Sequence, residues 1–272
     1  MSSFDAIYQW ADRYDETDYY HFWGNSQLPL GYTYNKIVLD FIPNLDEFPI
    51  LEDIFLDYAY ELDLSYYSFD FPANQALGQK LIAYLNQEEY GLEINRLLSI
   101  DPKDFKTSRL SPKDITVTAL SSAGQGWDDF FHFHYRENQA FGQDFANQSQ
   151  TFYQAVREED QLIALTAYRE QELLGVMVLI DSPNSLEIDD FTVLEDYRGQ
   201  GIGQAMQTWV MDRAQDQGKN VILLADADDT PLKMYLKQGY QDLSFRISAH
   251  KRIPQAIRQD ISNYQAGNPP QF

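Results

Sequence analysis

The chain has 272 residues, of which 44% are hydrophobic, enough to bury a substantial core in one large domain or two modest ones. It contains no cysteine, which excludes disulfides, thiolate catalysis and cysteine metal sites and makes a cytoplasmic location the expectation. Acidic residues outnumber basic ones 42 to 20, and the net charge of -22 argues against nucleic acid or an anionic membrane as a partner.

The acidity itself has two interpretations. It either serves solubility or favours a cationic partner. No apolar run approaches the length of about 20 residues that crosses a bilayer. The segment Met1–Asp5 also lacks the basic and apolar regions of a secretion signal, so neither a membrane span nor export is predicted.

The N-terminal part, 1–110, is predicted to form a small α+β domain. Between Leu56 and Leu64 apolar side chains alternate with acidic ones, which is the period of a strand with one solvated face. The other elements predicted here are a short helix at residues 4–14, a strand at Lys36–Ile42, a helix at Ala73–Leu85 and a strand at Leu92–Ile100.

A second domain is predicted from residue 111 to residue 272. The segment Asp101–Lys113 is polar and interrupted by prolines, as in a linker. After it, strands and helices alternate in the manner of a mixed α/β sheet. These elements are a strand at Ile115–Leu120, a helical region at Trp127–Val156, strands at Gln161–Tyr168, Leu173–Ile180 and Leu186–Val193, a helix ending at Gly218, a strand at Val221–Ala225, a helix from Thr230 to Gly239, a strand at Leu243–Ser248 and a short helix after Pro254.

A glycine-rich turn joins the strand ending at Val193 to the following helix. Glycines let backbone N–H groups approach a ligand closely, and a helix start carries about half a positive charge, so a phosphate or pyrophosphate fits here. A P-loop needs Lys and Ser or Thr after the last glycine, and a dinucleotide loop needs G-x-G-x-x-G in an early unit, so both are disfavoured. Tight packing is the other interpretation. The turn reads Arg198, Gly199, Gln200, Gly201, Ile202, Gly203, Gln204.

Two linked motifs resemble the GNAT (general N-acetyltransferase) superfamily. The string Arg198-x-x-Gly201-x-Gly203 is similar to the acyl-CoA pyrophosphate loop of that family. The resemblance covers about residues 113–252 and implies a GNAT-like acyl-CoA N-acyltransferase domain. The second motif resembles N-x-x-A-x-x-L-Y-x-x-x-G-F, with Asp228 for Asn, Pro231 for Ala, Met234 for Leu and Tyr240 for Phe.

The N-terminal half has two interpretations. The segment Ala76–Leu81 matches Gly201–Met206 at its apolar, glycine and glutamine positions, and a strand follows in both. The first half is therefore predicted to be a degenerate GNAT-like repeat, giving a tandem-domain chain. It lacks the outer glycines and an equivalent of Arg198, so pyrophosphate binding is not expected there. The alternative is an unrelated α+β domain.

The resemblance implies acetyl-CoA as a co-substrate and no metal. The turn would bind the pyrophosphate, and the strand before it would pair with the pantetheine arm, a backbone N–H near Val193 polarising the acyl carbonyl. Asp228 stands where the family has Asn, and a carboxylate beside an anionic cofactor would weaken that contact. The predicted cofactor-binding residues are Phe191, Thr192, Val193, Arg198, Gly199, Gln200, Gly201, Ile202, Gly203, Gln204 and Asp228.

Three residues are predicted to be catalytic. Tyr235 matches the family tyrosine that protonates the leaving thiolate, although a core tyrosine is the other interpretation. The acceptor ammonium must lose a proton, and Glu187, six residues before Val193, matches the glutamate of histone-acetylating members. Asp190 competes with Glu187 for this role, because a bulge of the kind common in the family would change which side chains share a face. A solvated rim of carboxylates is the remaining interpretation.

His132 and His134 are not predicted to bind a metal. Two residues apart on a helix they face different sides, and no third ligand is evident in the sequence. Lining of the acceptor pocket and ordinary packing remain as interpretations.

The sequence therefore predicts direct transfer of an acetyl group from acetyl-CoA to a primary amine. The acceptor is expected to be a cationic small molecule or protein amine, and a homodimer is a further expectation. The alternative is a catalytically lapsed CoA-binding or protein-interaction module, which the substitution at Asp228 supports. A nucleotide-binding domain of the dinucleotide type is a third option.

Overall fold

The computed structural model describes residues 3–107, 114–228 and 230–266, without the side chain of Thr230. The chain divides into two compact units: unit 1 is Met1–Tyr8 with Arg96–Ser244, and unit 2 is Gln9–Asn95 with Phe245–Phe272. The predicted domain boundary between residues 110 and 111 lies outside the described residues. Within the described ranges, no helix is both long and apolar enough to span a membrane.

Unit 2 contains a sheet whose core is strongly aromatic. Strands β1 to β3 are antiparallel, β3 and β4 are parallel, and β11 is antiparallel to β4. Its elements are β1 (Arg13–Glu16), β2 (Tyr20–Gly24), β3 (Lys36–Leu39), α1 (Phe48–Leu62), β4 (Tyr66–Asp70), α2 (Gln79–Gln87), the first part of β5 (Gly91–Ile100), the later part of β11 (Gln241–Arg252) and α7 (Gln255–Gln265). Phe22, Phe48, Phe55, Phe69 and Phe71 are fully buried.

Two predictions for the N-terminal half were wrong. The strand predicted at Leu56–Leu64 falls on the last turns and the end of helix α1, whose buried residues Phe48, Leu51, Phe55 and Ala59 have helical spacing. The helix predicted at residues 4–14 is a single 3-10 turn, Phe4–Ala6, followed by strand β1. Ser3 caps that turn by accepting a hydrogen bond from the Asp5 N–H.

Unit 1 is built on a mixed sheet, as predicted. The strand order is β5-β10-β9-β8-β7-β6. Strands β6 to β9 are antiparallel, and β9 and β10 are parallel. The elements are β6 (Ile115–Ala119), α3 (Trp127–Asn138), α4 (Gln143–Glu158), β7 (Leu162–Arg169), β8 (Glu172–Asp181), β9 (Ser185–Val193), α5 (Ile202–Gln217), β10 (Asn220–Asp226) and α6 (Thr230–Gln238), with the later part of β5 and the start of β11.

Helix α5 packs its apolar face on the core of unit 1. Ile202, Met206, Val210 and Ala214 lie one turn apart and are buried. Burial of each large apolar side chain stabilises the fold by roughly 1.5–3 kcal/mol. Gly218 ends the helix in the left-handed region, at φ 65°, and its N–H donates to Gln215 O. The core therefore fixes where the first turn of α5 lies.

Candidate active site

Strands β9 and β10 separate halfway along β9. Their register joins Asn220–Leu223 to Ser185–Ile188 and extends no further in the part of the chain that the structure describes. On its other side, β9 stays paired with β8 as far as Val193. The edge of Phe191–Val193 that faces β10 therefore has no neighbouring strand. An edge of this kind can bind an extended ligand as an added strand.

A β-bulge lies at the start of this open edge. Val178 pairs with Asp189 and Val176 with Thr192, so Asp190 and Phe191 together oppose one residue of β8. Asp190 has φ 43°, in the left-handed region, where a non-glycine residue is uncommon. Its N–H donates to Asp189 Oδ1 at 2.8 Å. The bulge turns the side chain of Asp190 away from regular strand alternation.

The glycine-rich turn presents N–H groups at the start of α5. Gly199 and Gly201 have φ 75° and 88°, which favour glycine. The first backbone bond of the helix runs from Ala205 N to Gly201 O, at 2.9 Å. The N–H groups from Gly199 to Gly203 donate to no acceptor within the described residues. A Cβ at Gly203 would lie 3.1 Å from Phe191 Cζ, so this glycine also lets the turn pack on β9.

Two guanidinium groups lie beside this turn. Arg198 Nε donates to Val193 O at 3.0 Å, which fixes the turn to the end of β9. Arg169 was not predicted; its terminal nitrogens lie 3.3 and 3.4 Å from Gln200 Oε1. Arg169 also forms an ion pair with Asp114 at 2.7 Å. Two cationic groups therefore lie beside the turn, and one of them, Arg169, is paired with a carboxylate.

Asp228 lies at the carboxyl end of β10, exposed to solvent. Its N–H donates to Asp226 Oδ1 at 2.9 Å. Because β9 and β10 are parallel, their carboxyl ends meet at the edge of the sheet where the glycine-rich turn begins. Asp228 therefore lies at the same end of the sheet as the glycine-rich turn. Within the described residues, no group of three or more histidine or carboxylate side chains is arranged to hold a metal ion.

Tyr235 is buried in the core of unit 1, on helix α6. Its ring meets that of Tyr240 edge to face, with centroids 5.3 Å apart. The Tyr240 hydroxyl lies 3.3 Å from Gln207 Oε1, and burial raises the pKa of Tyr240 well above its usual value. The surroundings of Tyr235 fit a core tyrosine as well as the predicted proton donor.

Glu187 and Asp190, the two predicted bases, lie in different surroundings. Glu187 is 4% exposed and lies on the part of β9 that is paired on both sides. Its Oε2 accepts the N–H of Tyr8 at 2.8 Å. Asp190 lies beyond the point where β10 diverges, and its side chain is 30% exposed. Of the two carboxylates, Asp190 is thus the more exposed and lies beyond the part of β9 that pairs with β10.

Helices α3 and α4 supply partners of Asp190 that sequence reasoning missed. The Tyr153 hydroxyl donates to Asp190 Oδ2 at 2.5 Å. His134 Nδ1 lies 3.4 Å from the same oxygen. Burial lowers the pKa of His134, although the nearby charges of Asp190 and Glu137 act to raise it. The only sequence signal was the aromatic run from Phe130 to Tyr135, which gave no hint of Asp190.

Family models match both halves of the chain. Residues 126–240 match the model of the acetyltransferase (GNAT) family. Residues 2–98 match a domain of unknown function (DUF5613). No curated protein matches the chain.

Solved structures resemble the chain over most of its length. A functionally unknown conserved protein from Staphylococcus epidermidis is 27% identical, with a TM-score of 0.82, over 93% of this chain and 98% of the other. A GCN5-related N-acetyltransferase from Kribbella flavida is 13% identical, with a TM-score of 0.60, over 90% of this chain and 91% of the other.

A third structure, a tandem GNAT protein from the clavulanic acid biosynthesis pathway, is 11% identical, with a TM-score of 0.51. It matches 81% of this chain and 76% of the other. Since these matches extend into the N-terminal half, that half also has a GNAT-like fold. The predicted fold class is confirmed, and the family and fold together support an acyltransferase.

Proposed function

We propose that unit 1 transfers an acetyl group from acetyl-CoA to a primary amine by direct transfer. The observation that carries the proposal is the open edge of Phe191–Val193 beside the N–H groups of Gly199–Gly203, which donate to no acceptor among the described residues. Pantetheine contains amides and is added to the edge as a short strand. The pyrophosphate accepts hydrogen bonds from the turn at the positive end of α5, near Arg198.

The reaction begins with a proton transfer. An alkylammonium has a pKa of about 10.4, so it is charged at neutral pH and cannot attack a carbonyl. Asp190 takes its proton, because Asp190 lies beside the open edge whereas Glu187 is buried and bound to Tyr8. The electron pair released on nitrogen becomes the nucleophile.

Transfer then proceeds through a tetrahedral intermediate. Nitrogen bonds to the thioester carbon, and a backbone N–H near Val193 stabilises the oxyanion. When the intermediate collapses, the carbon–sulfur bond breaks with its electrons on sulfur. Tyr235 gives the thiolate its proton, and the second proton of the nitrogen returns to Tyr235 through solvent. The products are the amide, CoA thiol and the proton held by Asp190.

A cationic acceptor fits the charge of the chain. With a net charge of -22, the protein attracts cations over distances that shrink as salt rises. The acceptor class we propose includes polyamines, aminoglycosides and lysine side chains, in a cytoplasmic setting. Stronger activity at low salt on neutral or anionic amines than on cationic ones would contradict this part of the proposal.

Release of CoA thiol from acetyl-CoA in the presence of an amine panel tests the proposed function. We expect amine-dependent release that Asp190→Asn reduces. The alternative is a CoA-binding or protein-interaction module whose catalysis has lapsed, which the carboxylate of Asp228 supports. Tight CoA binding with no thiol release from any amine would favour that alternative.

A further inference from the structure

Two aromatic side chains hold one oxygen of the Asp190 carboxylate. The Tyr153 hydroxyl and His134 Nδ1 both approach Oδ2, at 2.5 and 3.4 Å. The two rings are stacked, with centroids 3.8 Å apart and planes inclined by 20°, so each restricts the other. Oδ1 has no hydrogen-bond partner within the described residues. The carboxylate is therefore contacted at Oδ2, and its side chain as a whole is 30% exposed.

The contacts define the proton position on His134. Its side chain is 3% exposed, and burial lowers its pKa, so the ring is neutral at pH 7. An ionised carboxylate only accepts hydrogen bonds, so the approach of Nδ1 to Oδ2 at 3.4 Å is favourable when Nδ1 carries the proton of the neutral ring. The other nitrogen, Nε2, is buried without a hydrogen-bond partner among the described atoms. An unsatisfied buried nitrogen is unfavourable, so packing alone does not account for a histidine here.

The bulge explains why Asp190 needs such support. A residue at φ 43° on an irregular stretch of strand has no regular neighbours on its own face to fix its side chain. A catalytic carboxylate must be held to within a fraction of an ångström. Helices α3 and α4 provide that constraint through one aromatic ring each.

We propose that His134 and Tyr153 are positioning residues that fix Asp190 through Oδ2 and leave Oδ1 to receive the proton of the acceptor ammonium. This inference rests on the proposed function and deepens it. In the step, an N–H bond of the ammonium breaks, the proton bonds to Oδ1, and the electron pair stays on nitrogen. His134 keeps its proton throughout. The carboxylate of Asp190 loses its negative charge when it takes up the proton, so Asp190, His134 and Tyr153 together become neutral.

Three variants separate positioning from packing. Tyr153→Phe removes the hydroxyl and keeps the ring. His134→Leu removes the donor, whereas His134→Asn keeps a side-chain N–H near the place of Nδ1. His132 is exposed two residues earlier on α3, so His132→Leu is the matched control. Each variant is compared for kcat and for KM of the amine at saturating acetyl-CoA.

Tyr153→Phe and His134→Leu should lower kcat by about ten-fold or more, with amine KM changed less than about three-fold. His134→Asn should retain more activity than His134→Leu, and His132→Leu should match the unchanged protein.

A double-variant cycle and a spectrum complete the test. In an Asp190→Ala background, His134→Leu should cause no further loss, since it acts through Asp190. Long-range proton–nitrogen NMR spectra should show the Nδ1–H form of His134 at pH 7, without any need for turnover. The positioning role would be overturned, with the proposed function left standing, by any of three results. These are a proton on Nε2 of His134, a further loss from His134→Leu in the Asp190→Ala background, and an unchanged kcat in Tyr153→Phe and His134→Leu. Absence of thiol release from the unchanged protein would overturn the proposed function and the catalytic role with it.

Discussion

Replacing Gln204 with Glu should weaken CoA binding while leaving the helix intact. Gln204 is the third residue of α5, in the turn whose N–H groups we assign to the pyrophosphate. The substitution keeps the shape of the side chain and adds one negative charge. At about 8 Å and an effective dielectric constant of about 20, two unit charges repel by about 2 kcal/mol, or roughly a thirty-fold change in Kd.

The same charge should stabilise the protein slightly. A carboxylate in the first turn of a helix interacts favourably with its positive end, by about 0.3–1 kcal/mol. Binding and stability should therefore change in opposite directions. That combination separates repulsion of a bound phosphate from damage to the fold, which would lower both.

Isothermal titration calorimetry with CoA measures the effect, with Gln215→Glu as control. Gln215 is exposed near the end of the same helix, about 16 Å from Gln204 along its axis, and carries the same added charge. Its Kd should stay within about two-fold of the unchanged protein, and the penalty at Gln204 should shrink as salt rises. Equal CoA affinity for the two variants at low salt would refute phosphate binding at α5.

Three further predictions concern other residues of unit 1. Tyr235→Phe should lower kcat by about a hundred-fold with CoA affinity unchanged, because only proton donation is lost; steady-state kinetics and calorimetry check this, and an unchanged kcat would assign Tyr235 to the core. Glu187→Ala should lower the free energy of unfolding by about 1–3 kcal/mol, because the Tyr8 N–H loses its acceptor. It should change kcat/KM less than about three-fold. A hundred-fold loss of kcat/KM would make Glu187 the base instead. The free energy of unfolding should fall as pH drops below about 6.5. In that range His134 binds a proton in the unfolded chain, whereas in the folded chain its pKa is lowered by burial and it stays neutral. His134→Phe should reduce this dependence of the unfolding free energy on pH, as measured by denaturant unfolding at several pH values.

Elements with a local pattern were predictable from the sequence. The glycines around Gly201 and the apolar spacing of α5 are contained within one short stretch, Phe191–Gly218, and the structure has the predicted strand, turn and helix there. Sequence analysis named a bulge in this strand only as a condition that would change which side chains share a face, and the structure has one at Asp190 and Phe191. The residues predicted to bind CoA remain predictions.

Helix α1 was missed because two of its sides are covered. Phe55 and Ala59 face the core, while Tyr60 on another side meets Tyr264 of α7 with ring centroids 5.7 Å apart. Apolar residues on both sides of α1 obscure the helical period of the sequence. The helix that covers the second side, α7, lies near the C-terminus, far from α1 in sequence. Such a contact has no local signature.

The cluster at Asp190 was hidden for the same reason. Asp190 itself was a candidate base, but Tyr153 and His134 belong to helices that precede it by two whole strands, β7 and β8. Only the packing of α3 and α4 in unit 1 brings both to one carboxylate oxygen. Without knowledge of that packing, His132 and His134 were two histidines on one segment, and there was no reason to choose between them.

A structure of the protein with CoA bound would test the central claim most directly. The account predicts a pantetheine arm extended along Phe191–Val193, with pyrophosphate oxygens within hydrogen-bond distance of the N–H groups of Gly199–Gly203. CoA bound at another surface, or β10 paired with β9 as far as Val193 in that complex, would contradict it.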